Sequence, residues 1–564
     1  MIGLNKIGLN QVQLNRLRLN APFPAYGKMA GGGGSGDGFP QLPGDVTRWH
    51  FGGLTNEMMA AMDDPRIEDA DGKGRFLSFK NFAWKEGSGI SDIYPGALVF
   101  DGVDDYGTCD NFPILTKEKG YTVVALRKYI TPDPKSYLIS NGDTARLAAF
   151  LVEGNFPTIQ YWNFGAVGNL NYIDNSPYVY QTSKEYNGRS INKGDLNEGI
   201  ASLLVCKYGS WHSNAAIWEL VILDHDATEE ELTKIKDYFV KTYPWLFPYQ
   251  AWTVVGKTNE DEDRATIANI TGNGNDLVLS NFGFAEGSGY GLYAENYAGG
   301  RWVQSTDRAD LTWTSYSVNI TSVKVASTQL YYQSYPEQPS FIVPSYKIKV
   351  YGLKDGQTLS YRQATSEGQQ LYKISEDGTY TLPSFLFIAN GNWYGFKLNK
   401  VQESCDITIE QIPEYEGYLV TDGVDDKIVS SAFKMGKDFT IVGEWKFIID
   451  ENKGCGLVRV NKLYIYNSTT GLVIYINSNS IKNTLSGIKG LNAVCSNGRI
   501  YDCNWNEISI KYGDMIDIGA IFAIAFSGKN FTQMAFKNLA IYPTVLSKDE
   551  CIKAYNYLQT LKAK

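Results

Sequence analysis

Two stretches of this 564-residue chain occur twice, and self-similarity at long range fixes the domain plan before any local reading begins. Leu98-Val99-Phe100-Asp101-Gly102-Val103-Asp104-Asp105 returns as Leu419-Val420-Thr421-Asp422-Gly423-Val424-Asp425-Asp426. The stretch from Leu77 through Asn81-Phe82 to Glu86-Gly87-Ser88-Gly89 is echoed from Leu277 through Asn281-Phe282 to Glu286-Gly287-Ser288-Gly289. The offset is 200 residues at Leu77, 321 at Asp101 and 319 at Leu220-Val221-Ile222, which matches Leu539-Ala540-Ile541. The jump of 121 residues between the first two motifs is extra chain inside the second copy, between Gly300 and Gly417. That is the size of a small domain.

Both copies close in the same way. Thr228-Glu229-Glu230-Glu231 and Ser547-Lys548-Asp549-Glu550 both read S/T-x-x-E, the capping box that satisfies orphan amides at a helix start. Leu232, Ile235 and Phe239, with their counterparts Cys551, Ala554 and Leu558, then fall on one face of a short helix.

Aromatic residues make up 13% of the chain, with 38 Tyr and 12 Trp beside 56 Gly. Short alternating runs of Tyr, Val, Ile and Thr between Gly, Asn and Asp turns predict an all-β protein. The net charge of −9 argues against a general nucleic-acid binder. The longest apolar run, Ala520 to Phe526, is too short for a bilayer and is expected as a buried strand, so no membrane insertion is expected. The first residues show no secretory signal. Seven cysteines without C-x-x-C spacing fit reduced thiols of a protein folded in the cytoplasm, although Cys495 and Cys503 are near enough in sequence to pair.

Residues 1–20 carry a second repeat of period five: Ile2-x-Leu4-Asn5, Ile7-x-Leu9-Asn10, Val12-x-Leu14-Asn15 and Leu17-x-Leu19-Asn20. Such a period suits a pentapeptide-type β-solenoid, yet four repeats supply only about one coil and cannot bury its faces alone. The arm must dock, on sister arms or on a partner surface; the alternative is a plain disordered tail. Its charges are Lys6, Arg16 and Arg18, which suit an acidic partner. The expected anchoring residues are Leu4, Asn5, Leu9, Asn10, Leu14, Asn15, Arg16, Arg18 and Leu19. Residues 21–45 include a run of four glycines and read as a flexible tether.

With these residues in view, the two copies resemble laminin-G-like (concanavalin-A-like) jelly-roll modules. The marks are Ala97 to Tyr106, the Trp218 to Ile222 strand and the capped closing helix. The resemblance implies a laminin-G-like domain 1 over 46–248 and a domain 2 over 249–300 and 416–564. Copy two departs from the pattern at Thr421 and Lys427, where copy one has Phe100 and Tyr106, so a ligand role need not be shared. The repetitive arm and tether together resemble virion fibres of tailed phages, in particular crAss-like phages. Within 301–415 the runs at Tyr316–Ile320, Tyr346–Val350 and Asp406–Ile409 alternate with period two, with turns such as Lys354-Asp355-Gly356, and predict an inserted immunoglobulin-like β-sandwich.

Asp104 and Asp105 offer oxygen ligands for Ca²⁺, as in some laminin-G-like lectins, but a tight turn is the preferred reading because calcium needs six or more oxygens. No other cofactor is expected. Asp224-His225-Asp226 keeps no acids at its counterparts Pro543, Thr544 and Val545, and reads as cap partners. Asp261-Glu262-Asp263 reads as a solvated loop. Three His without an H-x-x-x-H or G-x-S-x-G setting, and no Glu-x-Asp-x-Glu strand, argue against an enzyme. Aromatics in loop-like stretches, Tyr161, Trp162, Trp393, Tyr394 and Trp505, are the glycan-binding candidates.

The expected function is thus a virion-surface fibre or decoration protein, made in the host cytoplasm. It would anchor to a capsid or other virion protein through its arm, form a homo-oligomer (trimer favoured, dimer next), and display its modules to cell-surface glycans. A glycan-cleaving glycoside hydrolase of depolymerase type and a purely architectural capsid or tail protein are the alternatives.

Overall fold

The fold is described from a computed structural model. It covers residues 38–112, 115–131, 136–140, 149–153, 158–163, 166–171, 176–194, 203–285, 287–299, 301–304, 309–323, 327–333, 338–354, 356–399, 405–448, 455–460, 463–468, 471–476, 483–485, 490–509, 518–524, 526–527, 530–531 and 533–563. The anchoring arm, with Leu4, Asn5, Leu9, Asn10, Leu14, Asn15, Arg16, Arg18 and Leu19, lies outside the described residues. The chain divides into two compact units, 1–247 and 248–564.

The duplication seen in the sequence is a duplication of topology. In unit 1 an eight-stranded antiparallel sheet runs Arg189–Ser190, Glu185–Tyr186, Tyr178–Thr182, Thr122–Tyr129, Asn214–Leu223, Leu98–Asp101, Gly89–Ile90, with Val46–His50 also paired to Asn214–Leu223. In unit 2 the same order recurs as Glu507–Ser509, Arg499–Asp502, Gly490–Cys495, Thr440–Phe447, Met534–Tyr542, Glu414–Val420, Gly289–Leu292, with Gln250–Thr253 paired to Met534–Tyr542. Even the register is kept: Trp49 stands opposite Leu220, and Trp252 opposite Leu539. Both indoles are fully buried and donate to loop carbonyls, Trp49 Nε1 to Arg75 O at 3.2 Å and Trp252 Nε1 to Asn275 O at 3.0 Å.

In unit 1 the facing sheet runs Arg66–Glu68, Phe76–Lys80, Tyr106–Cys109, Leu203–Val205, Ile139–Ser140. Leu77, Phe79, Ile139 and Leu203 share one core with Trp49, Leu98, Val123 and Ile222, so the unit is a sandwich. The strand Asn214–Leu223 is buried on both faces because the helix Glu229–Thr242 covers its outer side. Both expected capping boxes are present, at Thr228 with Glu231 and at Ser547 with Glu550. Among the described residues six cysteines (Cys109, Cys206, Cys405, Cys495, Cys503 and Cys551) are free thiols. Ala520 to Ile524 of the apolar run lie on the strand Ile518–Ile524, and Phe526 begins the short strand Phe526–Ser527.

The segment inserted in unit 2 forms two five-stranded antiparallel sheets around its own core. One runs Trp302–Gln304, Ser327–Gln333, Trp393–Asn399, Thr358–Thr365, Gly368–Ile374; the other runs Ala309–Trp313, Ser317–Val323, Ile407–Ile412, Tyr346–Tyr351, Gly378–Leu382.

The outer face of unit 1 hides an ionic knot that the second copy lacks. Arg48 NH1 donates to Glu219 Oε1 at 2.9 Å and to Tyr238 OH at 3.1 Å, while Tyr243 OH donates to Glu219 Oε2 at 2.7 Å. Arg48 and Glu219 are almost completely buried, and the knot binds the closing helix to the sheet. Asn538 and Thr253 occupy the places of Glu219 and His50 in unit 2. Removing one partner of a buried pair costs about 3–5 kcal/mol, because the other charge is stranded. Glu219→Ala should therefore lower the unit 1 transition in calorimetry of the full chain and leave that of unit 2 in place; an unmoved first transition would contradict the knot's role.

Candidate functional site

The two repeated sequence motifs meet in space. After the strand Leu98–Asp101 the chain turns through Gly102, whose φ of +77° needs glycine. Asp101 Oδ1 accepts the backbone amides of Val103 at 2.7 Å, Asp104 at 3.2 Å and Asp105 at 3.3 Å, and Asp105 Oδ2 accepts the amide of Asp101 at 3.1 Å. Asn81, itself at φ 69°, then donates from Nδ2 to Asp104 O at 3.0 Å and ties the first motif to the second. Ser88 Oγ accepts from Ala83 N at 2.8 Å and stands beside the Asp105 carboxyl.

Unit 2 repeats this clasp with two amides on the leading aspartate in place of three. Asp422 Oδ1 accepts from Val424 N at 2.7 Å and Asp425 N at 3.3 Å, Asp426 Oδ2 accepts from Asp422 N at 2.7 Å, and Asn281 Nδ2 donates to Asp425 O at 3.0 Å. Each triad, Asp101 with Asp104 and Asp105, and Asp422 with Asp425 and Asp426, gathers carboxylate oxygens within 4.8 Å of one another. Asp101 Oδ1, Asp105 Oδ2, Asp422 Oδ1 and Asp426 Oδ2 accept backbone amides, whereas Asp105 Oδ1 and Asp426 Oδ1 are buried without a hydrogen-bond partner. Burial pushes the Asp105 carboxyl up to about 6 and that of Asp426 up to about 7. The bonds made by Asp101 and Asp422 are those of a self-capped turn.

Beside the unit 1 clasp stands an aromatic hairpin. Lys207–Tyr208 and Trp211–His212 pair as a two-residue ribbon, turned through Gly209 at φ +57°. The rings of Tyr208 and Trp211 lie 5.8 Å apart, and both pack on the buried ring of Tyr137, at 4.8 and 6.0 Å. From the neighbouring strand Tyr106 reaches His212 at 6.1 Å, and Lys207 Nζ lies 3.9 Å over the Tyr106 ring. Burial and then Lys207 lower the His212 pKa, while Asp104 and Asp101 oppose the shift, which places the acidic turn next to the imidazole. Trp211 remains 38% exposed on this platform. A flat aromatic surface thus sits among an ammonium, an imidazole and carboxylates, and it can stack on an apolar ring while its rim bonds hydroxyls. Unit 2 keeps the ribbon, Phe526 opposite Phe531 and Ser527 opposite Asn530, with none of these polar aromatics.

Sequence reasoning missed this platform, although Tyr106 stood out as a point where the copies differ. Of the residues it singled out, Tyr161 and Trp162 lie on the strand Thr158–Asn163, with side chains outside the described set. Tyr394 must be corrected: it is 1% exposed, and its hydroxyl donates to Glu295 Oε1 at 2.7 Å inside the inserted domain, so it is core. Trp393, its neighbour on the strand, faces the other way and is half-buried against Tyr331. Trp505 sits at φ 62° in a turn, packed on Tyr501 and Tyr555. Asp224 accepts from Asp45 N, and Asp226 accepts from Ser183, as loop and cap partners.

No family model matches the chain, and no curated protein does. Among solved structures it is similar to a GH54 α-L-arabinofuranosidase soaked with a cyclic sulfate inhibitor, at 10% identity over 47% of this chain and 68% of that one, with a TM-score of 0.24. It is also similar to the binding domain of botulinum neurotoxin DC in complex with rat synaptotagmin II, at 8% identity over 58% and 95%, TM-score 0.23. A Trypanosoma rangeli sialidase aligns at 9% identity over 92% and 99%, TM-score 0.21. Likenesses this slight carry no argument about activity.

The buried carboxyls of the two clasps generate a pH signature. An unfolded aspartate titrates near about 3.9, so the folded chain holds these two protons more tightly than the unfolded one. The stability they contribute is complete below about pH 4 and is lost as pH rises through about 6 for Asp105 and about 7 for Asp426. Asp105→Asn combined with Asp426→Asn should flatten the fall in melting temperature across that window; an identical slope in the double variant would refute the assignment.

Proposed function

We propose that this chain is a structural fibre or decoration protein of a phage particle and that its jelly-roll modules bind glycans, with the hairpin end of unit 1 as the binding surface. The observation that carries the glycan reading is Trp211, held open on Tyr208 and Tyr137 with Tyr106, Lys207, His212 and Asp104 around it. Pyranose rings present an apolar face bordered by hydroxyls, and such a surface complements both parts. The platform is preassembled by ring packing, so little side-chain order has to be gained on binding.

The virion part of the reading rests on the period-five arm and the glycine tether. One shallow site of this kind binds weakly, and several copies on one particle gain by avidity. A homotrimer anchored through its arms would supply that multiplicity.

A glycan array probed with the full chain tests the binding reading, and silence across it would favour a purely architectural role. For any saccharide bound, Trp211→Ala should weaken affinity at least about tenfold, or about 1.4 kcal/mol, in titration calorimetry. Affinity unchanged by Trp211→Ala would remove the platform from the site, and saccharide turnover would favour the enzyme alternative. Immunogold labelling of phage particles tests the virion reading, which fails if no particle is marked.

A further inference from the structure

The inserted domain holds a buried positive charge with no carboxylate paired to it among the described residues. Arg362 lies on the strand Thr358–Thr365 and is 6% exposed. Its Nε and NH1 are buried without a hydrogen-bond partner, and among the described residues it forms no ion pair. Burial alone lowers its pKa from the ordinary arginine value, with no acid holding it up. The acid of this domain's core, Glu295, is engaged elsewhere, by Tyr394 and Trp302.

The surroundings are built around that guanidinium. Across the sheet Tyr331, Gly395, Arg362 and Leu371 stand opposite one another in a row, so their side chains share one face. Gly395, at φ +141°, is the gap in the row; a Cβ there would lie 2.4 Å from Leu330 O. The gap lets the guanidinium lie over the ring of Trp393, with Cζ 3.7 Å from its centroid, and Tyr331 flanks that indole at 5.2 Å. At the sheet edge the strand Gly368–Ile374 leaves Leu371 66% exposed. A planar cation, two half-buried aromatic rings and an apolar rim therefore converge on one face.

An uncompensated charge out of water is strongly unfavourable, and evolution-neutral physics would discharge it with a counter-ion or an apolar residue. We propose that Arg362, Trp393 and Tyr331 form a second saccharide site, specific for acidic sugars, in which the carboxylate of a uronic-acid unit pairs with the guanidinium and its ring stacks on the aromatic edge. A planar guanidinium matches a carboxylate in geometry as well as charge, which an ammonium does not. This site goes beyond the unit 1 platform and stands if that platform binds nothing.

The test uses the full chain with three probes: oligogalacturonate, a sulfated oligosaccharide and neutral malto-oligosaccharide. Oligogalacturonate should bind, with affinity falling as salt rises. In a Trp211→Ala background, where the unit 1 platform no longer contributes, Arg362→Met should weaken that binding at least tenfold and Trp393→Phe should weaken it less. Without ligand Arg362→Met should hold or raise the melting temperature of unit 2, because it removes a stranded charge. A drop in that temperature with binding intact would make Arg362 a structural prop and overturn the proposal. Equal binding of neutral and acidic probes, or no binding of either acidic probe, would overturn it as well. Binding of the sulfated probe alone would overturn the carboxylate assignment.

Discussion

The clasp between Asn81 and the Asp101–Asp105 turn is the constraint on which the unit 1 surface depends. Asp101 gathers three amides on a single oxygen, and this fixes where the chain leaves one sheet for the other. Tyr106 begins the next strand directly afterwards, so the clasp decides where its ring emerges. Tyr106 in turn meets His212 and Lys207 from a hairpin about a hundred residues later, a distance read from the numbering. A backbone device thus sets the position of a side-chain surface. Because Asp101 and Asp422 bond amides of their own turns, the clasp can recur in unit 2 with a different surface around it.

Interior and exterior have therefore followed separate rules in the two units. Trp49 and Trp252 keep the same register and the same kind of carbonyl partner. The ionic knot of Arg48, Glu219 and Tyr243 has no equivalent where Asn538 stands, and Asn538 itself is buried with neither side-chain polar atom partnered. Two solutions to attaching a closing helix coexist on one topology, one centred on Glu219 and one in which Glu444, paired with Lys446 and Lys537, meets Tyr555 of the helix whose Cys551, Ala554 and Leu558 are buried. That pattern is what a shared sheet order leaves free.

Much of the architecture was legible in the residues, because repeats and capping boxes are local strings with fixed offsets. The aromatic platform was not, since its hairpin has strands of two residues, too short for any period, and its counterpart shares only the turn glycine with it. Tyr394 was misread for a simpler reason. Adjacent residues on a strand point to opposite faces, so of Trp393 and Tyr394 only one could lie outside, and the sequence does not say which. Arg362 was invisible because its character lies in what it lacks, and a missing counter-charge has no string.

The inserted domain enters after Leu292 and leaves at Glu414, and these two residues stand opposite each other in the sheet of unit 2. Its ends are therefore held one strand spacing apart, about 4.8 Å. For the nascent chain this alters the order of events. The first strands of the second module emerge well before their partners and would wait as the ends of a long open loop. Once the intervening sandwich has formed, its own closed ends bring Leu292 and Glu414 together, and most of the loop-closure entropy has already been met. The closed ends of the insertion thus keep the interrupted strands of its host within pairing distance.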